Sequence, residues 1–486
     1  MLHDLKTRSL KGLVWATGES VGVALISLVS FVILARLLSP EDFGIMALAT
    51  VFITFSLLLT AHSFADAVVQ RPALEADHLD TAFWSTLAIA LALMAACLAG
   101  ADMAAAALDA PPLADVLRWL SPVLPLGALS SVQIALFRRE MRFDAVARRS
   151  LLGRGLGAAV GIGMAFAGYG YWALVGQQLV GQVATTAAFA VGPWRPRLRF
   201  SGRRFREMWA FGAQVSLCQV LGGAGEQTLI LLVGTVFGTT ALGYFTLAWR
   251  AVQLIRSLIS SAVYQVGLSA FSKLQHDRAA MADAFVNATR LACLVGFPVA
   301  VGIVMIDRPL VLAAFDDKWQ TSIPLLAVLA LELIPAFYGM FLAALYRATD
   351  HAGWGLATTV IFVAVGLGGA LAAAPFGLYA VTSVWVARTS LLVPLQHAFL
   401  AVRLLAVPAD RLLAPLAAPA GASVAMAGGL VLLRLALPAD LASAAELALL
   451  VPVGALIYVG AIRLLSPPLM GLALRTAGLV MTPARR

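Results

Sequence analysis

FVILARLLSPEDFGIMALATV (residues 31–51) and ILLVGTVFGTTALGYFTLAWR (residues 230–250) are two copies of one pattern. With Gly44 set on Gly243, each reads as a long apolar run, a short turn of polar or small residues, a glycine, and a second apolar run. A second pair recurs at nearly the same spacing: GYGYWALVGQQL (168–179) matches FGLYAVTSVWVA (376–387) when Gly170 is set on Gly377. The chain therefore reads as two repeats of about six membrane helices each. An even number of crossings returns the chain to the side it left. Both repeats then share one orientation and are expected to be related by an axis along the membrane normal.

Composition supports this. Of 486 residues, 61% are hydrophobic and 12% charged, with a mean hydropathy of +0.90; a soluble domain carries roughly 25% charged residues. A helix needs about 20 apolar residues to cross roughly 30 Å of hydrocarbon. The chain consists almost entirely of such runs, too long and too uniformly apolar for barrel strands. The expected fold is an all-α polytopic membrane protein with about fourteen transmembrane helices, from 12–35 to 443–464, arranged as two pseudo-symmetric six-helix lobes plus two C-terminal helices. The middle spans fall near 149–168, 171–191, 208–236 and 241–263. The lobes are 1–192 (helices 1–6) and 208–403 (helices 7–12). A basic cytoplasmic linker, 193–207, joins them, and 404–486 holds helices 13 and 14 and a cytoplasmic tail. The first apolar run is too long for a signal-peptide core and lacks a small-residue cleavage site, so it is expected to remain as the first span.

Lys and Arg set the orientation. With fourteen spans, one side holds the termini, the 138–149 and 195–206 clusters and the C-terminal tail, about 24 of the 34 basic residues, against about 5 in the opposite loops. The opposite loops are short and acidic: SPED (39–42), ALDAPPLAD (107–115), FDDKW (315–319) and PADLASAAE (438–446). Both termini are expected in the cytoplasm. The basic clusters read as topology signals and contacts for anionic membrane lipids. Nucleic-acid binding is excluded, because the charge is dispersed among membrane loops with no folded reader domain. The longest basic stretch, PWRPRLRFSGRRFRE (193–207), is expected to lie on the cytoplasmic face as an amphipathic connector.

No enzyme motif stands out. GxxxxGK[ST] and HExxH are absent from the sequence, and the six His have no ligand spacing. Cys97, Cys218 and Cys293 fall in apolar runs and read as small hydrophobes. Neither a cofactor nor a metal is expected. Gly153, Gly157 and Gly161 lie inside a predicted span at every fourth residue, which makes them a ridge for close packing of another helix, not a dinucleotide loop.

Polarity inside the spans marks the candidate site, because it is expensive there. In span eight Arg250, Gln253, Ser257, Ser260, Ser261 and Tyr264 fall within an arc of about 100°, with Arg256 beside it and Leu247, Val252, Ile255 and Ile259 opposite. Span seven carries Ser216, Gln219, Gly223, Glu226 and Gln227; span one carries Glu19, Ser20, Ser27 and Ser30 on one face. Such stripes point to a shared water-filled cleft, the alternative being that they bond neighbouring helices. Arg154, Arg290, Arg388 and Glu332 each lie near a span end or stand alone, and read as weaker candidates.

These residues carry a resemblance. LKGLVWATGESVGVALISLVSFVILARLLSPEDFGIMALATVF (10–52) resembles the opening of the polysaccharide transporter family, the Wzx-type lipid-linked oligosaccharide flippases. FADAVVQR (64–71), FRREMRF (137–143), GYGYWALVGQQL (168–179), WRPRLRF (194–200), FGTTALGYFTLAWR (237–250) and SAFSKLQHD (269–277) follow in the family's order, over roughly residues 8–400. The family belongs to the multidrug/oligosaccharidyl-lipid/polysaccharide exporter superfamily. The resemblance implies two six-helix lobes around a central cavity, two extra C-terminal helices and alternating access. It implies transfer of polyprenyl-pyrophosphate-linked oligosaccharide repeat units across the inner membrane for exopolysaccharide or O-antigen synthesis, with a polysaccharide polymerase and export machinery as further partners. The protein is thus expected to be a transporter and not an enzyme. Arg250 and Arg256 would hold phosphates; Gln253, Gln219, Ser257 and Ser261 would meet sugars. Glu19 or Glu226 would couple to protons or Na⁺ or be structural. A cation-coupled multidrug exporter of the same superfamily is the alternative, and a membrane glycosyltransferase or polymerase the third. In one respect the repeats differ: SPED in the first is replaced by GTTA (238–241) in the second.

Overall fold

The computed structural model of the chain describes residues 2–481 apart from 61–63, 65–67, 70, 72, 73, 193, 272–277, 349–351, 406, 439 and 440. Every regular element among the described residues is a helix. Eleven helical stretches are long and apolar enough to cross a membrane. One of them, Val220–Ser260, covers most of the seventh and eighth expected spans. The fifth and sixth expected spans are also helices, Phe143–Phe166 and Trp172–Ala190. They are more polar than the eleven: arginines load the first, glutamines and threonines the second. The chain divides into two compact units, Met1–Leu247 and Ala248–Arg486.

Within the first unit the two copies of the opening motif meet. A Cβ built on Gly44 would fall inside the carbonyl oxygen of Thr239, and one built on Gly243 would fall inside that of Pro40. Pro40 precedes Gly44 by four residues, and Thr239 precedes Gly243 by four. The contact is therefore reciprocal, each glycine seated on the turn of the other copy, as a two-fold relation between the two turns requires. Only glycine permits it, because any side chain would collide with a backbone carbonyl.

The two turns are built differently. In the first copy Leu2–Leu37 gives way to Pro40–Thr60, with proline at the first helical position. Ser39 donates through its backbone N (2.8 Å) and Oγ (2.7 Å) to Oδ2 of Asp42, and Asp42 N donates back to Ser39 Oγ at 3.2 Å. This reciprocal capping box satisfies donors exposed at a helix start. Asp42 Oδ1 accepts from Tyr171 N at 2.8 Å, which ties the turn to the second repeated motif of the same copy. That motif turns on Gly168 and Gly170, with φ of 82° and 55°. In the second copy Ala241 replaces Asp42, and the long stretch Gly202–Phe271 breaks at Gly238, where φ is 82° and ψ 174°. A glycine backbone makes the bend that a side-chain cap makes in the first copy. Gly377, the counterpart of Gly170, also has a positive φ, 97°.

The glycine ridge packs as expected. Added Cβ atoms on Gly153, Gly157 and Gly161 would strike Thr185 Oγ1, Gln177 O and Gln177 Cβ of Trp172–Ala190, at 2.5 Å and 2.7 Å for the last two. The helices approach closely because the glycines leave room.

The basic linker differs from expectation. From Trp194 to Ser201 it is extended and docked on the helix Ala76–Ala107, not laid out as an amphipathic segment. Arg197 N donates to Asp80 Oδ1 at 3.0 Å, Trp84 Nε1 donates to Arg197 O at 2.7 Å, and Ser201 N donates to Thr81 Oγ1 at 3.2 Å. Gln133 donates to the Trp194 carbonyl. Trp194 and Phe205 pack on the buried Phe64, Phe83 and Val132. Arg204 pairs with Glu75 (2.5 Å) and Glu207 (3.3 Å), and Arg71 pairs with Glu207 at 3.0 Å. Two of its aromatics, Trp194 and Phe205, are thus spent on protein core, while Phe200 stays exposed. An isolated surface ion pair contributes little, but these share partners and form a network.

Gly44→Ala and Gly243→Ala each drive a methyl into a carbonyl that cannot swing away, and overpacking costs about 1–3 kcal/mol or more. Each is expected to lower folded protein in the membrane several-fold, read by immunoblot and by melting of the detergent extract. Gly163→Ala, whose Cβ meets nothing within 4 Å, leaves both unchanged. Equal abundance of all three would contradict the reciprocal contact.

The Arg71 hydrogen bond, with Arg204 adding, pulls the Glu207 carboxyl from 4.5 down to about 2. Its folded value lies below the unfolded one, so its contribution is complete above pH 4.5 and is lost as pH falls through about 2. A spin label on Arg195→Cys should therefore keep constant mobility from pH 7 to 5 and loosen below pH 4. Glu207→Gln should loosen it already at pH 7.

Candidate substrate-binding site

Past Gly238, the helix of span eight separates its residues by face. Leu247, Trp249, Ala251 and Val252 are buried, while Arg250, Arg256 and Ser257 are exposed and Gln253 is half-buried. Ser257 Oγ donates at 2.8 Å to Leu254 O of its own helix. Within the second unit, Gln253 and Arg256 line a narrow cleft with Trp249, Val252, Glu332, Leu333 and Ala336. The cleft has about 10 Å³ of free space, room for one water.

Glu332 owes its place to Pro335. Two helices, Ser322–Leu331 and Leu333–Tyr338, meet at Glu332. A proline ring clashes with the carbonyl four residues earlier, here Leu331, and cannot donate to it. The helical hydrogen-bond ladder therefore loses a bond beside the carboxylate, while Glu332 keeps helical φ and ψ of −62° and −24°. Glu332 lies in the middle of the apolar stretch Ser322–Tyr346.

Arg388 lies within electrostatic reach of Glu332. Its guanidinium stacks on Trp385, 3.8 Å from the ring centroid, and donates to Phe362 O (3.2 Å) and Thr389 Oγ1 (3.0 Å). Gly366 opens the space it fills, since a Cβ there would meet Nη1. Arg388 is thus clamped by cation–π and carbonyl contacts and is not a snorkelling end residue. Arg256 makes no hydrogen bond or ion pair among the described residues. Arg256 shares the cleft with one carboxylate at mid-span, and Arg388 lies within electrostatic reach of it, which makes the region net positive.

The remaining candidates are dispersed. Arg250 and Ser257 share the span-eight helix but do not line this cleft. Glu226 and Glu19 are half-buried members of the first unit. The side chains of Gln219 and Ser261, and of Ser216 and Tyr264, lie outside the described residues. Glu332 and Arg388, weaker candidates from the sequence because each reads as near a span end or alone, lie within electrostatic reach of one another. The signal that would have promoted Glu332 is the ELIP spacing in an otherwise apolar run, which predicts a lost helical bond beside a carboxylate.

The family model described as polysaccharide biosynthesis protein matches residues 33–324, more than half of the chain. The chain is similar to the succinoglycan biosynthesis transport protein ExoT of Rhizobium meliloti (strain 1021), 28% identical over 319 residues that cover 65% of each chain. The match thus spans just under two thirds of that relative. It is also similar to the lipopolysaccharide biosynthesis protein WzxC of Escherichia coli (strain K12), 22% identical over 386 residues, 76% of this chain and 77% of the other. Among solved structures, the lipid II flippase MurJ in an inward closed conformation superposes with a TM-score of 0.76 at 14% identity, covering 92% of this chain and 98% of that one. An inward-facing multidrug resistance MATE transporter gives 0.62 at 19% identity, covering 81% and 95%. At such identities these structures establish a common fold.

Proposed function

Because the chain belongs to the polysaccharide biosynthesis protein family, we propose that it is a flippase for polyprenyl-pyrophosphate-linked oligosaccharide units, working by alternating access across the bacterial inner membrane. The observation that carries this is the mid-span cluster of Arg256, Gln253 and Glu332, with Arg388 behind it. A pyrophosphate and its sugars cannot cross hydrocarbon unaided. Fixed guanidinium groups hold phosphate oxygens through charge-assisted, bidentate hydrogen bonds. Amide and hydroxyl groups such as those of Gln253 and Ser257 suit sugar hydroxyls. Arg250, exposed on the same helix, is assigned to the pyrophosphate as well.

Glu332 has a second part in this scheme. A cationic site without cargo is costly at mid-membrane unless a carboxylate balances it. Glu332 balances the charge of the cluster between transport events, and the arriving pyrophosphate takes over that balance at Arg256. A multidrug exporter is less well supported. Two arginines per carboxylate repel the organic cations such exporters carry.

Arg250→Ala and Arg256→Ala are expected to cut polysaccharide export at least tenfold, about the value of one charge-assisted hydrogen bond, with membrane abundance unchanged. The lysine replacements restore part of it, since a point charge replaces a fork. Loss of protein alongside loss of export would mark the arginines as structural clamps, and normal export would remove them from the site.

The proposed topology has fourteen crossings, with lobes 1–192 and 208–403 and both termini cytoplasmic. A reporter active only in the periplasm, fused after Arg486, should stay silent, while one inserted between Asp316 and Asp317 should be active. The reverse pattern would overturn the orientation.

A further inference from the structure

A larger cavity lies elsewhere in the second unit. It encloses about 380 Å³ between the helix Arg278–Met305 and the segment around Val407–Arg411, lined by Ala282, Asp283, Val286, Asn287, Arg290 and Arg411 among others. No residue of the proposed transport site lines it. We propose that this cavity binds the phosphate of an anionic membrane lipid.

Charge and placement both point that way. Two arginines face one carboxylate, which leaves the cavity net positive. Asp283 Oδ1 approaches Arg411 Nη1 at 3.8 Å, a loose pair exposed at the mouth. Arg290 and Asn287 are half-buried and make no hydrogen bond or ion pair among the described residues. A half-buried guanidinium with an unused fork, beside an unused amide, is a donor set for phosphate oxygens. Burying that cation is costly until an anion meets it.

The lipid source follows from depth. Asp283 and Arg290 are seven residues apart, so about 10 Å of helix separates the mouth from the deeper arginine. That helix is an apolar span, Ala279–Met305. A free phosphate would have to leave water to reach Arg290, whereas a lipid phosphate arrives from the membrane side with its tail in hydrocarbon. The volume also exceeds what a lone phosphate fills and suits a phosphate with a glycerol-sized substituent. In the proposed topology the mouth opens at the cytoplasmic leaflet, where anionic lipids attract basic residues.

The test uses the full-length protein in detergent, titrated with phosphatidylglycerol or phosphatidylcholine, with retained lipid counted by native mass spectrometry. Phosphatidylglycerol should be retained and phosphatidylcholine not. Arg290→Gln should weaken retention about tenfold, and the exposed Arg411→Gln should weaken it several-fold without threatening the fold. Asp283→Asn should strengthen it, because the carboxylate competes for Arg411. Melting curves confirm that each variant is folded. Unchanged retention in both arginine variants, or equal retention of the two lipids, would overturn the proposal. Displacement of the lipid by inorganic phosphate at equal concentration would reassign the site to a soluble anion and overturn the lipid assignment. Polysaccharide export, measured in parallel, reports separately on the transport site.

Discussion

The contact on which the first unit depends is one between backbones. Gly44 lies on the carbonyl of Thr239, and Gly243 lies on that of Pro40. No side chain takes part, and none fits. In a membrane, helices gain little from burying apolar surface against each other, since lipid is equally apolar. Close backbone approach is what remains, and it requires the smallest residue at the crossing. The repeat in the sequence is conspicuous for that reason. The apolar runs around it can drift, while glycine and the four-residue offset to the turn cannot.

Given that fixed crossing, the two turns were free to diverge in how they are made. The first spends a serine and an aspartate on a reciprocal cap, and Asp42 extends the cap to Tyr171 N. The second has alanine at that position and bends through Gly238. A carboxylate-capped turn is rigid and tied to a neighbouring motif. A glycine turn has more accessible backbone states. The copies share geometry at the contact but not stiffness, so the divergence of SPED into GTTA is a difference in mechanics more than in charge.

Much of this was legible in the sequence, and the reasons are particular. Glycines at 153, 157 and 161 announced a close-packed helix because nothing else explains small residues at that period, and Gln177 and Thr185 occupy the space. The buried face of span eight followed from helical periodicity, with Leu247 and Val252 inside and Arg256 outside. The linker's docking was not legible. Its basic and aromatic pattern fits a membrane surface as well as a protein groove, and only the partners Asp80, Thr81 and Trp84, more than a hundred residues away, decide between them. Glu332 was ranked only as a weaker candidate for a similar reason. Counted along one helix it stands alone, but the fold sets it in one cleft with Gln253 and Arg256 of another helix.

The mid-span cluster combines two economies. A lone carboxylate or a lone guanidinium deep in a membrane is costly, and each would be better replaced by an apolar residue. Together they lower that cost without cancelling it, because two arginines lie near one glutamate. Arg388 is already committed to Trp385, Phe362 and Thr389. It therefore supplies fixed positive potential and not a mobile ligand. Arg256, exposed and making no hydrogen bond or ion pair among the described residues, is the group with donors to offer. Arg388 adds fixed positive potential near the carboxylate, and Arg256 brings an exposed guanidinium to the cleft. In the proposed flippase an anion entering the cleft would meet Arg256 first, while Arg388 continues to set positive potential at Glu332. In that proposed scheme cargo would be exchanged without leaving a bare charge on either side of the exchange.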